Sequence, residues 1–227
     1  MRTAAILPVK SFGAAKQRLG SLLGSGSRQA LAQAMFQDVL AALRKVDAIE
    51  RIVIVASEPS VEFAADEQIV VLEDELREGQ SPAAAAGIRW AVEAGFERVL
   101  LVPGDTPLLS AAELDTLLAD APEEVVIVPD RHGSGTNGLL LRPPTVIEPS
   151  FGPDSRQRHQ AAAEAAGVAC RVEPLPSLVF DVDTSDDLAV VTATIEASRA
   201  VAPRTRGALR QLERAGARLK VTAGANS

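Results

Sequence analysis

Strands and helices alternate along almost the whole chain, and this alternation predicts a three-layer α/β/α domain around a mostly parallel central sheet. Two further observations support it. The 227-residue chain is 47% hydrophobic but only 3% aromatic, so its core is built from small aliphatic side chains that suit helices packed on buried strands. In the middle of the chain the apolar run Leu100-Leu101-Val102 ends in Pro103-Gly104-Asp105-Thr106-Pro107, a carboxylate held between breaker residues. In open α/β sheets ligands bind at the carboxyl end of a central strand, which makes Asp105 the expected hub.

Residues 3–9 are a short apolar run with Pro8 near its end, the expected first strand. Lys10, Lys16 and Arg18 follow in a loop. Beyond Ser27, Leu31, Met35, Val39 and Leu43 recur at helical spacing and present one face to the core. Residues 51–56 and 69–72 read as the second and third strands. Ser81-Pro82 reads as an N-cap with proline at the first helical position, opening a helix that Gly95 stops. Residues 98–102 form the fourth strand, and Ser110 with Glu113 gives a capping-box pattern for the next helix. Residues 125–128, 138–142 and 178–182 read as strands, with a helix over 155–166 between the last two. A final helix over 184–198 carries Asp186 and Asp187 in its first turn. From Pro203 on, Arg204, Arg206, Arg210, Arg214, Arg218 and Lys220 lie in a stretch with little apolar periodicity. The expected organisation is one domain over residues 1–200 and a basic tail over 201–227, partly helical or loose.

The net charge of -7 argues against nucleic acid and anionic membranes as general partners, since phosphate surfaces recruit a positive field. Any anionic substrate must meet local positive charge. Cys170 is the only cysteine, which excludes an intrachain disulfide and suits a reducing compartment. Pro8 and Lys10 interrupt the first apolar run before it reaches the length of a signal peptide core, so the expected location is cytoplasmic.

Four constellations carry chemistry. Asp181-Val182-Asp183 follows an apolar run, and residues two apart on an extended segment project to one side. Two carboxylates converging there repel unless a hard cation neutralises them, which points to magnesium; the alternative is that one of them caps the following helix. An Asp-x-Asp after an apolar strand also occurs in haloacid-dehalogenase phosphatases, but there it lies near the start of the domain. Gly133-Ser134-Gly135-Thr136-Asn137-Gly138 fits a dinucleotide fingerprint letter for letter, yet leads into Leu139-Leu140-Leu141 instead of a helix. Its expected use is a tight loop whose amides and hydroxyls hold an anion, or a plain turn. Phe151-Gly152-Pro153-Asp154-Ser155 precedes a helix whose free amides would also attract an anion, with Arg156, Arg158 and His159 in the next turns. Three basic residues, Lys10, Lys16 and Arg18, at the phosphate-loop position of an acidic chain signal a polyphosphate. There is no Walker A sequence, no zinc spacing and no nucleophile elbow.

Taken together, Val9-Lys10, Ala15-Lys16-Gln17-Arg18-Leu19, Gly104-Asp105-Thr106-Pro107, Gly133-Ser134-Gly135-Thr136, Phe151-Gly152-Pro153-Asp154-Ser155 with His159, and Phe180-Asp181-Val182-Asp183-Thr184 resemble, in this order, the guanylyltransferases of coenzyme F-420 biosynthesis. The resemblance covers about residues 3–195. It implies a nucleotidyltransferase fold of the glycosyltransferase-A type, GTP as donor, magnesium as cofactor, and a small phosphorylated three-carbon acid as acceptor, phosphoenolpyruvate or 2-phospho-L-lactate. Asp105, Asp181 and Asp183 match the family's magnesium-binding positions. Thr136, Gly152 and Ser155 match its acceptor site, and Lys10, Lys16 and Arg18 its basic loop at the GTP phosphates. Relatives often carry Asn where this chain has Pro82, a position that helps hold the nucleotide, and Ser81 is the expected substitute. The oligomeric state stays open, with the resemblance leaning to a homodimer. Rival readings are a molybdopterin-type nucleotidyltransferase, which lacks support because Pro8-Val9-Lys10 stands where a Gly-rich loop belongs, and a non-catalytic nucleotide-binding regulator.

Overall fold

Six of the expected apolar runs become strands of one sheet. The computed structural model describes residues 1–9, 11–14, 16–57, 61, 65–74, 79–198 and 200–216, so Lys10, Arg218 and Lys220 lie outside the described residues. The strands are β1 (Thr3–Val9), β2 (Ile49–Ala56), β3 (Ile69–Glu73), β4 (Arg98–Leu101), β5 (Val125–Pro129), β6 (Thr136–Leu141) and β7 (Cys170–Val172). The seven-stranded sheet has the order β3-β2-β1-β4-β6-β5-β7. Every pairing is parallel except the two made by β6, which runs antiparallel to both β4 and β5. The chain winds outward from β1 through β2 to β3, then returns to β4 on the other side of β1. That reversal opens a crevice beyond the carboxyl ends of β1 and β4.

Among the described residues six α-helices cover the two faces: α1 (Ser25–Leu43), α2 (Gln80–Glu93), α3 (Ala111–Ala119), α4 (Ser155–Ala166), α5 (Ser185–Ala197) and α6 (Pro203–Arg214). Leu31, Met35, Val39 and Leu43 of α1 are all buried, as their spacing requires, in one apolar cluster with Leu114 and Leu117 of α3 and Leu188, Val191 and Ile195 of α5. On the opposite face Ala83, Ala84, Ile88 and Ala91 of α2 pack with Ala163 of α4. Small residues let these helices lie close to the sheet, and each buried Leu, Ile or Val contributes about 1.5–3 kcal/mol. Thr184 and Asp187 form a reciprocal capping box at the start of α5, satisfying two otherwise orphaned donors. Among the described residues no helix is long and apolar enough to cross a membrane.

Three local expectations are corrected, and one strand was not expected. Residues 178–182 are not a strand: Leu178 and Val182 are fully buried, but the backbone turns on itself through Leu178 N–H to Leu175 O, and a single bond, Val182 N–H to Asp105 O at 3.1 Å, ties the segment to the loop after β4. Burial alone gave the run its strand-like composition. The edge strand β7 had no such signal, being three residues long with Arg171 in the middle. Ser110 makes no capping bond; Glu113 instead accepts from the Ser177 N–H and hydroxyl at 3.0 and 2.9 Å. The N-cap of α2 is Gly79, so Pro82 is its third residue and Ser81 lies inside the helix.

The described part of the tail is also not a solvated helix. Leu209 and Leu212 of α6 join the core cluster, and the buried Asp38 carboxylate of α1 accepts from Arg204 N–H (3.1 Å), Thr205 N–H (2.7 Å) and the Thr205 hydroxyl (2.7 Å). Pro203 has no N–H to offer and Ala202 no capping side chain, so a carboxylate from another helix caps α6. Replacing it, Asp38→Ala, is expected to cost about 1–3 kcal/mol in denaturant unfolding, with Asp38→Asn costing less because one acceptor remains.

Candidate active site

The crevice at the switch between β1 and β4 holds a cavity of about 380 Å³, within the range of small-ligand pockets. Three segments far apart in sequence meet there. Pro8 and Val9 end β1, Pro103, Gly104 and Asp105 follow β4, and Asp181 and Asp183 come from the extended segment before α5. Although that segment is no strand, its alternation survives: the two aspartates line the cavity and Val182 between them is buried.

Lys16 joins the three. Its ammonium donates to Asp105 Oδ2 at 2.5 Å and to Asp183 Oδ1 at 2.9 Å. The side chain is 6% exposed against 29% for Asp105 and 52% for Asp183, so the cation is the sealed partner and Asp183 the open one. Burial opposes the Lys16 charge, but the two carboxylates outweigh it and hold the ammonium above its ordinary range. Lys16 stands at φ 58°, ψ 38°, the left-handed region that a side chain of this kind rarely adopts. Strain of that sort persists where the surroundings over-determine it, and here two ionic contacts do so.

Asp181 is the third carboxylate. Asn137 at the start of β6 bridges to it, donating through Nδ2 to Asp181 Oδ1 at 3.1 Å and to Leu178 O at 3.0 Å. Burial and the charges of Asp105 and Asp183 hold the Asp181 carboxyl above the usual carboxylate range, against the Asn137 bond. Gly138 follows because a Cβ there would come within 2.9 Å of Leu178 Cδ2 and 3.0 Å of Val128 Cβ, leaving no room beside the segment that carries Asp181.

Of the other expected residues, Thr136 lines the cavity, whereas Arg18 is exposed on the turn after Lys16 and does not. Gly152 and Ser155 do not line the cavity; the next residue, Arg156, donates its N–H to Ser134 O at 3.1 Å in the loop before β6. Ser81 does not line the cavity; its hydroxyl oxygen accepts from Phe151 N–H at 2.8 Å and braces α2 against the loop before α4. The anion cradles read into two loops are partly filled by the protein itself. Ser134 and Gly135 both give their amides to Asp130 Oδ1 at 3.0 Å. Ser155 N–H and Arg156 N–H, in the first turn of α4, are bonded to Gly152 O and Ser134 O.

The sequence reading missed Asn137, hidden inside the misleading glycine string, and the rest of the cavity wall. That wall includes Phe12 and Phe36, whose rings lie 5.6 Å apart, with Gly79, Gln80 and Ala83 at the start of α2. The sequence reading also expected His159 to add positive charge beside Arg156 and Arg158, whereas burial disfavours the charged ring. His159 is fully buried, with Nε2 accepting from Ser150 N–H at 2.9 Å and Nδ1 3.1 Å from the Thr136 hydroxyl. Arg158 closes the same loop by donating to Ser150 Oγ and O at 2.8 and 2.9 Å and to Pro153 O.

A doubly wound sheet with acidic and basic side chains gathered at its switch point defines an enzyme of the nucleotidyltransferase class. The fold is shared with a protein described as a nucleotide-diphospho-sugar transferase from Desulfovibrio desulfuricans, with TM-score 0.77 and 21% identity over 97% of this chain and 100% of that one. The family model "Guanylyl transferase CofC like" matches residues 3–201, and the chain belongs to this guanylyltransferase family. It is 47% identical to the phosphoenolpyruvate guanylyltransferase of Conexibacter woesei, over 94% of this chain and 98% of that protein. It is also 35% identical to the 2-phospho-L-lactate guanylyltransferase of Methanothermobacter thermautotrophicus, over 83% of each chain.

Burial, helped by the Arg158 charge, pulls the His159 imidazole down from 6.5 to about 4. The unfolded ring therefore takes up its proton at a higher pH than the folded one. Stability from this site is full above about pH 6.5 and is lost as the pH falls towards 4, by up to about 3 kcal/mol. Urea midpoints measured across pH 4–7 are expected to fall in this window, with a shallower fall in His159→Gln.

Proposed function

We propose that the protein transfers GMP from GTP to a small phosphorylated three-carbon acid, phosphoenolpyruvate or 2-phospho-L-lactate, with release of pyrophosphate. The observation that carries this reading is the Lys16–Asp105–Asp183 cluster beside Asp181, at the mouth of the crevice where the fold binds nucleotides. An oxygen of the acceptor phosphate attacks the α-phosphorus of GTP. A new P–O–P bond forms, the α–β bridge bond breaks, and pyrophosphate leaves with the electron pair. The acceptor is already an anion, so no protein nucleophile is needed; the difficulty is bringing two anions together.

The side chains divide that work. Lys16 supplies a fixed positive charge for the phosphates, and Arg18, exposed two residues on, meets the outer ones; Lys10 is assigned to the same loop. The nucleotide contacts expected of Ser81 pass to Gly79 and Gln80, which line the cavity. Thr136, Gly152 and Ser155 take the acceptor. Of these, Thr136 lines the cavity.

A magnesium ion fits the residues present. Asp105 Oδ1 is buried with no hydrogen-bond partner, and Asp74, Asp105, Asp181 and Asp183 line the cavity with Lys16, a set of oxygen donors that suits a hard cation. Among the described residues no group of three or more His, Cys, Asp or Glu is arranged to hold a metal ion, and the Lys16 ammonium lies between Asp105 and Asp183. Asp105, Asp181 and Asp183 would hold the ion in competition with that ammonium. When bound, it supplies charge neutralisation at the transferring phosphoryl group. Within this reading the product feeds coenzyme F-420 biosynthesis and the enzyme works in the cytoplasm, with the family resemblance leaning to a homodimer.

Incubation with GTP, magnesium and, in turn, phosphoenolpyruvate, 2-phospholactate and 3-phosphoglycerate tests the proposal. Pyrophosphate is expected only when an acceptor is present; none with all three overturns it. Asp105→Asn is expected to lower turnover about 100-fold or more in a chain that still folds, and retained turnover removes Asp105 from the reaction.

A further inference from the structure

The geometry points to His159 as a positioning residue that turns the Thr136 hydroxyl into an obligate hydrogen-bond donor towards an anionic oxygen of the acceptor. The inference rests on the acceptor site proposed above. It follows from counting donors. A backbone N–H can only donate, so the bond from Ser150 N–H at 2.9 Å requires a lone pair on His159 Nε2. The neutral ring then carries its hydrogen on Nδ1, and the 3.1 Å contact to Thr136 Oγ1 is a donation from histidine to hydroxyl. With Oγ1 accepting from the ring, the hydroxyl's own hydrogen is free for the cavity that Thr136 lines.

The surroundings hold the ring in this state. Phe151 packs edge-on against the imidazole at 5.4 Å, and Arg158 clamps the loop that carries Ser150. Its nearby positive charge and the complete burial of the ring both disfavour the imidazolium. A hydroxyl so held discriminates. It binds an unprotonated carboxylate or phosphate oxygen and rejects a group that offers only a hydrogen, because two donors would then face each other.

Two histidines in the chain make the tautomer directly readable. Long-range 1H–15N correlation at pH 7 is expected to show His159 neutral with its hydrogen on Nδ1. An Nε2–H tautomer or an imidazolium overturns the inference, whatever the enzyme's substrate proves to be. Kinetics with phosphoenolpyruvate and GTP varied separately give the second reading. His159→Gln keeps an acceptor near Nε2 but removes the Nδ1 donor, and is expected to raise the acceptor KM about 10-fold with the GTP KM unchanged. His159→Asn keeps a donor near Nδ1 and is expected to restore the acceptor KM to within about 2-fold, at a lower thermal midpoint because Ser150 N–H loses its partner. Thr136→Val is expected to match His159→Gln, and the double variant to be no worse than Thr136→Val alone. Equal rises in both KM values, or additive losses in the double variant, overturn the inference. Absence of turnover in the wild type with every acceptor, beside the expected tautomer, refutes the functional reading and leaves the hydroxyl's orientation standing.

Discussion

One ammonium between two carboxylates organises the working end of this protein. Lys16 reaches Asp105 and Asp183, and through them it ties together the loop after β1, the loop after β4 and the segment that enters α5. Without a cation at that point, three acidic side chains from distant parts of the chain would repel one another in a partly buried crevice. The left-handed backbone at Lys16 shows the constraint from the other side: the loop accepts an unfavourable conformation so that its ammonium falls between the two aspartates.

Much of the fold was legible in the sequence because periodicity records burial. Leu31, Met35, Val39 and Leu43 predict the inner face of α1, and the apolar runs predict every strand but β7. The same signal misled at residues 178–182, where Leu178 and Val182 are buried without any strand ladder. Capping letters were weaker guides. Ser110 and Glu113 have the right spacing, yet Ser177, far along the chain, takes the carboxylate; Asp38 caps a helix to which it is not adjacent in sequence. Tertiary partners of this kind leave no local trace.

The candidate site divides along the same line. Asp105, Asp181, Asp183, Lys16 and Thr136 could be singled out because their chemistry is unusual for their neighbourhood, and all of them line the cavity. Ser81, Ser134 and the amides ahead of α4 had suitable letters, but their hydrogen-bonding capacity is partly used within the protein. Asn137 and His159 were unreadable for a different reason. Each acts on another side chain, and which one it reaches depends on how β6, α4 and the 150–153 loop pack.

The reversal of β6 has a wider consequence. Because this strand runs against its neighbours, its first residues emerge at the same end as the last residues of β1 and β4, so the crevice is furnished by chain entering the sheet as well as chain leaving it. One flank belongs to the parallel strands and α2, the other to the β5–β6 hairpin and the loop into α4. The two flanks meet where Ser81 of α2 accepts from the Phe151 N–H of the loop into α4. A scaffold divided in this way can keep one donor while its acceptor changes from one lineage to the next.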